Sequence, residues 1–181
     1  MFRSLVLLLG SLTLVYAWGG KVPSTHRLDS SWKRYSNDDI GYCVSYPSRW
    51  LRGEAFDGAG MYFETGLKKY SRPAGEMDIS AFSGIQTVDY LRTHLEGLKR
   101  FERARNLKVL DQREMPLLGS TALFTKDSYS DPLDKTEWID EIVLASSGKM
   151  LYRLELECRK DQIGRFEPLF EQFVQSFRLQ C

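Results

Sequence analysis

The chain has 181 residues, in which 25 lysines and arginines stand against 24 aspartates and glutamates. This near balance excludes a strongly basic nucleic-acid-binding protein and an acidic disordered tail as the protein class. An apolar fraction of 43%, with 13% aromatic residues, excludes intrinsic disorder, and the length suits one domain with its own core.

The first seventeen residues predict a secretory signal peptide. Within residues 1–17, Arg3 precedes an apolar run from Leu5 to Val15, and the small residue Ala17 follows at the expected cleavage point. The run is well short of the roughly twenty residues that a membrane-spanning helix needs. We therefore expect cleavage near Ala17, a periplasmic or secreted product and no transmembrane segment in the mature chain.

The mature chain predicts a short flexible lead at residues 18–31 and one domain over residues 32–181. Alternating apolar residues between turns predict strands at residues 32–35, 41–47, 61–64, 77–82, 107–115 and 120–126. The clearest hairpin joins residues 137–145 to residues 149–158, with Gly148 in the tight turn. In its second arm, leucines alternate with charged residues.

Two segments predict helices. The first begins at Thr87 and runs to about residue 104, and four residues are expected to face the core: Val88, Leu91, Leu95 and Leu98. The second begins near residues 165–168, where a proline is tolerated in the first turn, and its apolar stripe ends at Phe177. Antiparallel hairpins with segregated helices make the fold class α+β.

The three cysteines predict at most one intramolecular bridge in an exported chain. Cys158 ends a strand just before the last helix, which carries the chain about 15 Å away, so pairing with Cys181 requires the tail to double back. The sequence therefore favours a Cys43–Cys181 disulfide, with Cys158 as a buried thiol. A Cys158–Cys181 bridge, or no bridge, is the alternative.

No catalytic residue, cofactor or metal site is predicted. His26 lies in the lead and His94 in the first helix, and neither has a nucleophile motif nearby. Cysteine spacing and the scarcity of histidine argue against zinc. Four acidic residues gather around one loop: Asp127, Asp131, Asp134 and Glu137. Their spacing lacks the pattern of a calcium loop, which favours a solvated loop over a weak cation site.

Basic residues concentrate at the end of the first helix and in one loop. The candidate partner-binding residues are Lys68, Lys69, Arg72, Arg100 and Arg103. Such a patch inside a neutral protein predicts attraction to a protein or an anionic envelope macromolecule, whereas the alternative is a helix face charged for solubility. Nucleic acid is not expected as the partner of an exported neutral chain.

Three fragments resemble the PsbP-like domain family. They are GYCVSYPSRW at residues 41–50, PLLGSTA at residues 116–122 and FVQSF at residues 173–177. The resemblance implies an antiparallel sheet sandwiched by helices, and binding, scaffolding or assembly in place of catalysis. The family shares no partner, so no functional residue is carried over. The matching positions are interpreted as core and turn positions: Tyr42, Tyr46, Pro47, Trp50, Gly119 and Phe177.

The sequence thus predicts an exported, soluble, non-catalytic binding or assembly factor of the bacterial cell envelope. Two alternatives remain open. A small-ligand carrier would need a deep apolar cavity between the sheet and a helix. A hydrolase with an unrecognised site would need carboxylates or histidine converging in a pocket with shifted pKa values.

Overall fold

A computed structural model describes residues 31–55, 59–65, 72–100 and 105–181. The strands are β1 (Trp32–Asn37), β2 (Tyr42–Pro47), β3 (Leu51–Glu54), β4 (Ala59–Glu64), β5 (Gly75–Ser83), β6 (Arg105–Leu117), β7 (Ser120–Ser130), β8 (Glu137–Ser147), β9 (Met150–Arg159) and β10 (Arg178–Leu179). The helices are α1 (Thr87–Arg100) and α2 (Ile163–Ser176), with a short 3-10 turn before α2. The signal peptide and nearly all of the lead were predicted for residues that lie outside this description.

The strands form two antiparallel sheets. The larger sheet has seven strands in the order β3-β4-β5-β9-β8-β7-β6, and the smaller has the order β1-β2-β10. The smaller sheet and α2 cover one face of the seven-stranded sheet, here called the α2 face, where Tyr46 of β2 stacks on Phe63 of β4 at 4.3 Å between ring centroids. Helix α1 packs on the opposite face, the α1 face. This arrangement confirms the α+β fold class.

The α2 face holds the main apolar core. Alternation along the strands points one set of buried side chains towards α2: Phe63, Met77, Ile79, Phe124, Val143, Tyr152, Leu154 and Leu156. Helix α2 adds Phe166, Phe170 and Phe173, all buried. The ring of Phe166 lies so close to Gly75 that an added Cβ would come within 2.7 Å of it. Close packing therefore requires a glycine at this position of β5.

The predicted disulfide between Cys43 and Cys181 is present, with 6.0 Å between the two Cα atoms. It ties the tail that follows α2 to the central strand of the smaller sheet, beside the pairing of β10 with β2. Cys158 is a buried free thiol, and burial raises its pKa to about 12. It therefore stays a protonated, apolar core residue at neutral pH.

Most predicted elements are confirmed, above all the hairpin, which appears as β8 and β9. Two strands were not predicted. In β3 three of the four residues are exposed, and β10 has only two residues, so neither carries an apolar alternation. Helix α2 begins at Ile163, slightly earlier than the expected residues 165–168.

Two burial predictions are wrong. Val88 was expected to face the core but is 71% exposed. The first turn of α1 lies at the end of the β8–β9 hairpin, where Thr87 contacts Ser146, so Val88 is at the edge of the sheet and not over its centre. Strand β2 was expected to be half-buried, yet Cys43 and Ser45 are buried as well. On this second side the Cys43–Cys181 disulfide covers the strand, and the guanidinium of Arg34 on β1 contacts the sulfur of Cys43.

Candidate functional site

The α1 face of the large sheet carries carboxylates where the α2 face carries rings. Register places seven acidic side chains on it: Glu64, Glu76, Asp78, Asp127, Asp140, Glu155 and Glu157. Three basic side chains accompany them: Arg72, His94 and Arg153. The seven carboxylates outnumber the three basic side chains, so this face carries more acidic than basic groups.

Helix α1 places a histidine in the middle of its apolar stripe. Leu91, His94 and Leu98 recur at spacings of three and four residues and therefore share one side of the helix. Leu91 packs in one apolar cluster, and Leu98 packs with Trp138 in another. Between them His94 lies against Asp140, with 2.9 Å between Nε2 and Oδ2.

His94, Asp140 and Glu155 form a compact group whose potential ligand atoms all lie within 4.8 Å of one another. Burial opposes the charged form of His94, but the hydrogen bond and charge of Asp140 outweigh it and raise its pKa to about 9. Burial and then the charge of Glu155 raise the pKa of Asp140 well above its usual value. Burial alone would raise the pKa of Glu155 too, yet Arg153 and His94 hold it below its usual value.

Asp127 adjoins this group from the neighbouring strand. It is directly opposite Asp140 in the β7–β8 register, and opposite residues of an antiparallel pair point to the same face. Asp127 is fully buried, and neither of its carboxylate oxygens has a hydrogen-bond partner among the described residues. Burial raises its pKa to about 6, while the charge of His94 acts in the opposite direction.

Arg153 holds two of the carboxylates together. Its Nη2 lies 2.8 Å from Oδ2 of Asp78, and its Nε lies 2.9 Å from Oε2 of Glu155. The guanidinium also donates a hydrogen bond to the hydroxyl of Tyr90 on α1. The nearly buried guanidinium of Arg153 thus connects β5, β9 and α1.

An open cleft of about 350 Å³ adjoins Arg153 on the side towards β3 and β4. Its lining residues are Glu54, Ala55, Tyr62, Glu64, Glu76, Asp78 and Arg153. Burial, followed by the charges of Glu157 and Glu64, raises the pKa of Glu76 to about 7. Tyr62 also lines the cleft, and its ring lies across Gly53, where an added Cβ would come within 2.5 Å of it.

Arg72, one of the candidate partner-binding residues, is engaged within the protein. Its guanidinium lies 4.0 Å from the ring centroid of Trp138, forms an ion pair with Glu157 and donates a hydrogen bond to the Tyr129 hydroxyl. Helix α1 ends at Arg100. Lys68, Lys69 and Arg103 lie outside the described residues. A basic surface for an anionic partner therefore stays a prediction.

The acidic loop separates into two parts. Asp131 and Asp134 each accept a hydrogen bond from the backbone amide two residues further on, and Glu137 pairs with Lys160. These contacts are typical of turns and solvated surfaces. Asp127 lies apart from them on β7, under α1.

His94, Asp140 and Glu155 were not predicted as a site, and Asp127 was assigned to the acidic loop, for which a solvated loop was favoured over a weak cation site. The charged residues of β9 alternate with leucines, a pattern that normally indicates a water-facing side of a sheet. Helix α1 covers that side instead. The available signal was His94, a polar residue within the apolar stripe of an amphipathic helix, which requires a polar partner on the opposing surface.

No protein-family model and no curated protein sequence matches this chain. Solved structures do. The cyanobacterial PsbP (CyanoP) from Synechocystis sp. PCC 6803 superposes with a TM-score of 0.64 at 15% identity, covering 82% of this chain and 92% of that one. The chain has the PsbP-like fold.

Two further structures share the PsbP-like fold. LpqN of Mycobacterium tuberculosis matches with a TM-score of 0.52 at 15% identity, over 83% of this chain and 91% of that one. PA94 of Pseudomonas aeruginosa matches with a TM-score of 0.51 at 15% identity, over 80% and 94%. The resemblance inferred from three fragments is therefore confirmed at the level of the fold. Tyr42, Tyr46 and Phe177 are buried, and Gly119 has a φ of 73° in its turn, as expected of core and turn positions.

Proposed function

We propose that this chain is an exported, non-catalytic binding or assembly factor of the bacterial cell envelope, and that its partner is a protein that inserts a basic side chain into the open cleft. The fold it shares with LpqN, a protein described as involved in cell envelope biogenesis, supports the envelope assignment. The Cys43–Cys181 disulfide supports export, because disulfides persist in oxidising compartments. Among the described residues, no helix has the length and apolarity to cross a membrane.

The observation that carries the binding proposal is the charge of the cleft. Glu54, Glu76 and Asp78 line it, and Arg153, the one cation among its described lining residues, already bonds to Asp78 and Glu155. Burial, and after it the negative charges of Glu157 and Glu64, raise the pKa of Glu76, so a second charge nearby would favour its ionised form only if that charge were positive. A lysine or arginine from a partner would supply that positive charge.

The hydrolase alternative has less support than binding. Carboxylates and His94 do converge next to the cleft, as that alternative requires. The hydrogen bond of His94, however, goes to Asp140, and no hydroxyl or thiol of the described residues bonds to this histidine. A nucleophilic mechanism needs such a group within hydrogen-bond reach of the base. The arrangement of His94 and the carboxylates therefore supports binding of a charged group more than activation of a nucleophile.

The ligand-carrier alternative needs apolar space between the sheet and a helix. Under α2 that space is filled by Phe166, Phe170 and Phe173, which are 0–2% exposed. Under α1 the sheet presents carboxylates. Neither layer offers a dry cavity among the described residues, so binding through a surface cleft is favoured.

Site-specific photo-crosslinking in the native envelope tests the proposal. A photoreactive residue replaces Ala55 at the cleft, and a matched one replaces Glu171, which is exposed on α2. We expect a defined protein adduct from position 55 only, with a yield that falls at high salt. The same adducts from both positions, or none from position 55, would contradict the proposal.

The chemistry of the contact is tested in the same system. Glu54→Gln combined with Glu76→Gln should abolish the adduct from position 55, and Glu171→Gln should leave it unchanged. An adduct that persists in the double variant would show that the carboxylates do not recognise the partner. Binding of an anionic envelope polymer, unaffected by the double variant, would instead favour the basic surface.

A further inference from the structure

Two neighbouring cross-strand pairs of β7 and β8 have opposite charge patterns. Lys126 lies opposite Glu141, and its Nζ is 2.6 Å from Oε1 of that glutamate. The next pair in the register joins Asp127 to Asp140 on the α1 face. Like charges directly opposite each other destabilise a sheet, so the second pair requires positive charge from elsewhere.

His94 supplies only part of that charge. It bonds to Oδ2 of Asp140, whereas Oδ1 of Asp140 and both oxygens of Asp127 have no hydrogen-bond partner among the described residues. Asp127 is fully buried and Asp140 is 2% exposed. Buried carboxylate oxygens without a donor are costly, and folded proteins nearly always satisfy them with a donor, a water or an ion. The unpartnered oxygens of Asp127 and Asp140 therefore indicate that a ligand binds at this group.

The donor set indicates the chemical class of that ligand. It combines one imidazole nitrogen with carboxylate oxygens from adjacent strands, and His94, Asp140 and Glu155 have ligand atoms within 4.8 Å of one another. Imidazole with carboxylates suits zinc and related first-row divalent ions, whereas magnesium and calcium prefer oxygen donors alone. The four side chains belong to α1, β7, β8 and β9, all regular elements.

We propose that this chain binds a divalent transition-metal cation, with Zn²⁺ as the first candidate, between α1 and the large sheet, with His94, Asp140 and Glu155 as ligands and the unpartnered carboxylate of Asp127 adding negative charge beside them on β7. His94 Nε2 and Asp140 Oδ2 are 2.9 Å apart, near the spacing of about 3.3 Å between two ligands in a tetrahedral zinc site with bonds near 2 Å. The metal takes the place of the proton between them.

The site also has a route for the ion. The side chains of His94 and Glu155 are 12% and 15% exposed, so the group is not sealed. Arg153 contacts Glu155 and also lines the open cleft, which places the cleft next to the group. The cation would join α1 to β8 and β9, and this inference does not depend on the proposed partner.

Metal retention by the full chain tests the proposal. The protein is stripped with a chelator, dialysed against micromolar ZnCl₂ and analysed by mass spectrometry for metal content. We expect one Zn²⁺ per chain in the wild type and at least tenfold weaker binding in Asp127→Asn and Asp140→Asn. A double control, Asp131→Asn with Asp134→Asn, changes the acidic loop and should bind Zn²⁺ like the wild type.

Thermal unfolding separates loss of the site from loss of the fold. In chelator, Asp127→Asn should melt at or above the wild-type temperature, because it removes a like-charge pair. On addition of ZnCl₂, only the wild type and the loop control should gain in melting temperature. Co²⁺ added in place of Zn²⁺ should give the visible absorption of a tetrahedral site, weakened in His94→Gln.

Four results would overturn the proposal. The first is a wild type that retains no metal at micromolar ZnCl₂, which would mean that protons alone satisfy the carboxylates. The second is Zn²⁺ binding in Asp127→Asn and Asp140→Asn as tight as in the wild type. The third is a loss of binding in the loop control, and the fourth is tighter retention of Mg²⁺ or Ca²⁺ than of Zn²⁺.

Discussion

The two faces of the large sheet are made by the same strands and differ in almost every physical respect. On the α2 face rings pack against rings, and the buried acid Glu141 is matched by Lys126, which also reaches Glu167. On the α1 face, one residue along each strand, Asp127 and Asp140 meet as like charges. The α2 face therefore stabilises the fold by apolar packing, whereas the α1 face carries carboxylates that are only partly paired.

That division is possible because the energies are unequal. Truncating a buried phenylalanine costs about 3–5 kcal/mol, whereas one unsatisfied polar group costs about 1–3 kcal/mol. A well-packed α2 face can therefore support several imperfectly paired carboxylates beneath α1. Violations of local rules of this kind concentrate at functional sites.

The largest effect is expected on the α2 face. Phe166 is fully buried, lies 5.8 Å from the ring of Trp50 and covers Gly75. Phe166→Ala should lower the free energy of unfolding by about 3–5 kcal/mol in urea titrations. Val88→Ala, on the exposed side of α1, should change it by less than about 0.5 kcal/mol. Similar losses in the two variants would break the comparison between the faces.

The next largest effect concerns the disulfide behind α2. Replacing Cys43 and Cys181 together by serine should lower the free energy of unfolding by about 2–4 kcal/mol, because the bridge closes a long loop. Wild-type protein treated with a reductant should unfold at the same urea concentration as the double variant. A reductant without effect on the wild type would show that the bridge does not stabilise this side.

A smaller effect of the opposite sign is expected on the α1 face. Because the pKa of Glu76 is raised from 4.5 to about 7 in the fold, the folded state binds its proton more tightly than the unfolded state. The stability that this proton provides is present below about pH 4.5 and lost as pH rises through about 7. Glu76→Gln should therefore stabilise the protein at pH 8 by about 1–2 kcal/mol, with the shift discounted for the open cleft.

The pH profile of that variant provides its own control. At pH 4.5 the wild type and Glu76→Gln should unfold at the same urea concentration, and the gap should open between pH 5 and pH 8. All samples contain a chelator, so that metal binding does not contribute. Glu171→Gln, on exposed α2 surface, should show no such divergence. A constant gap at every pH would mean that the charge of Glu76 is not the cause.

The sequence predicted the elements that local patterns determine and missed what long-range register creates. Turn residues and alternation defined the β8–β9 hairpin, and the reach of the last helix defined the partner of Cys43. The pairing of Asp127 with Asp140 depends on the β7–β8 register across a loop. The contact between His94 and Asp140 depends on α1 packing against β8, which follows it in the chain only after β6 and β7. Neither relation is visible in a local window of residues.

The last prediction has no expected effect on stability and concerns the end of α1. If the basic surface predicted from the sequence binds an anionic envelope macromolecule, Arg100→Glu with Arg103→Glu should weaken its capture and leave the melting temperature unchanged. Glu54→Gln with Glu76→Gln is the matched change on the acidic side and should weaken only the contact with a basic protein segment. If reversal of the two arginines leaves capture unchanged, that surface has no role. The open cleft is then the surface that the proposal assigns to the partner.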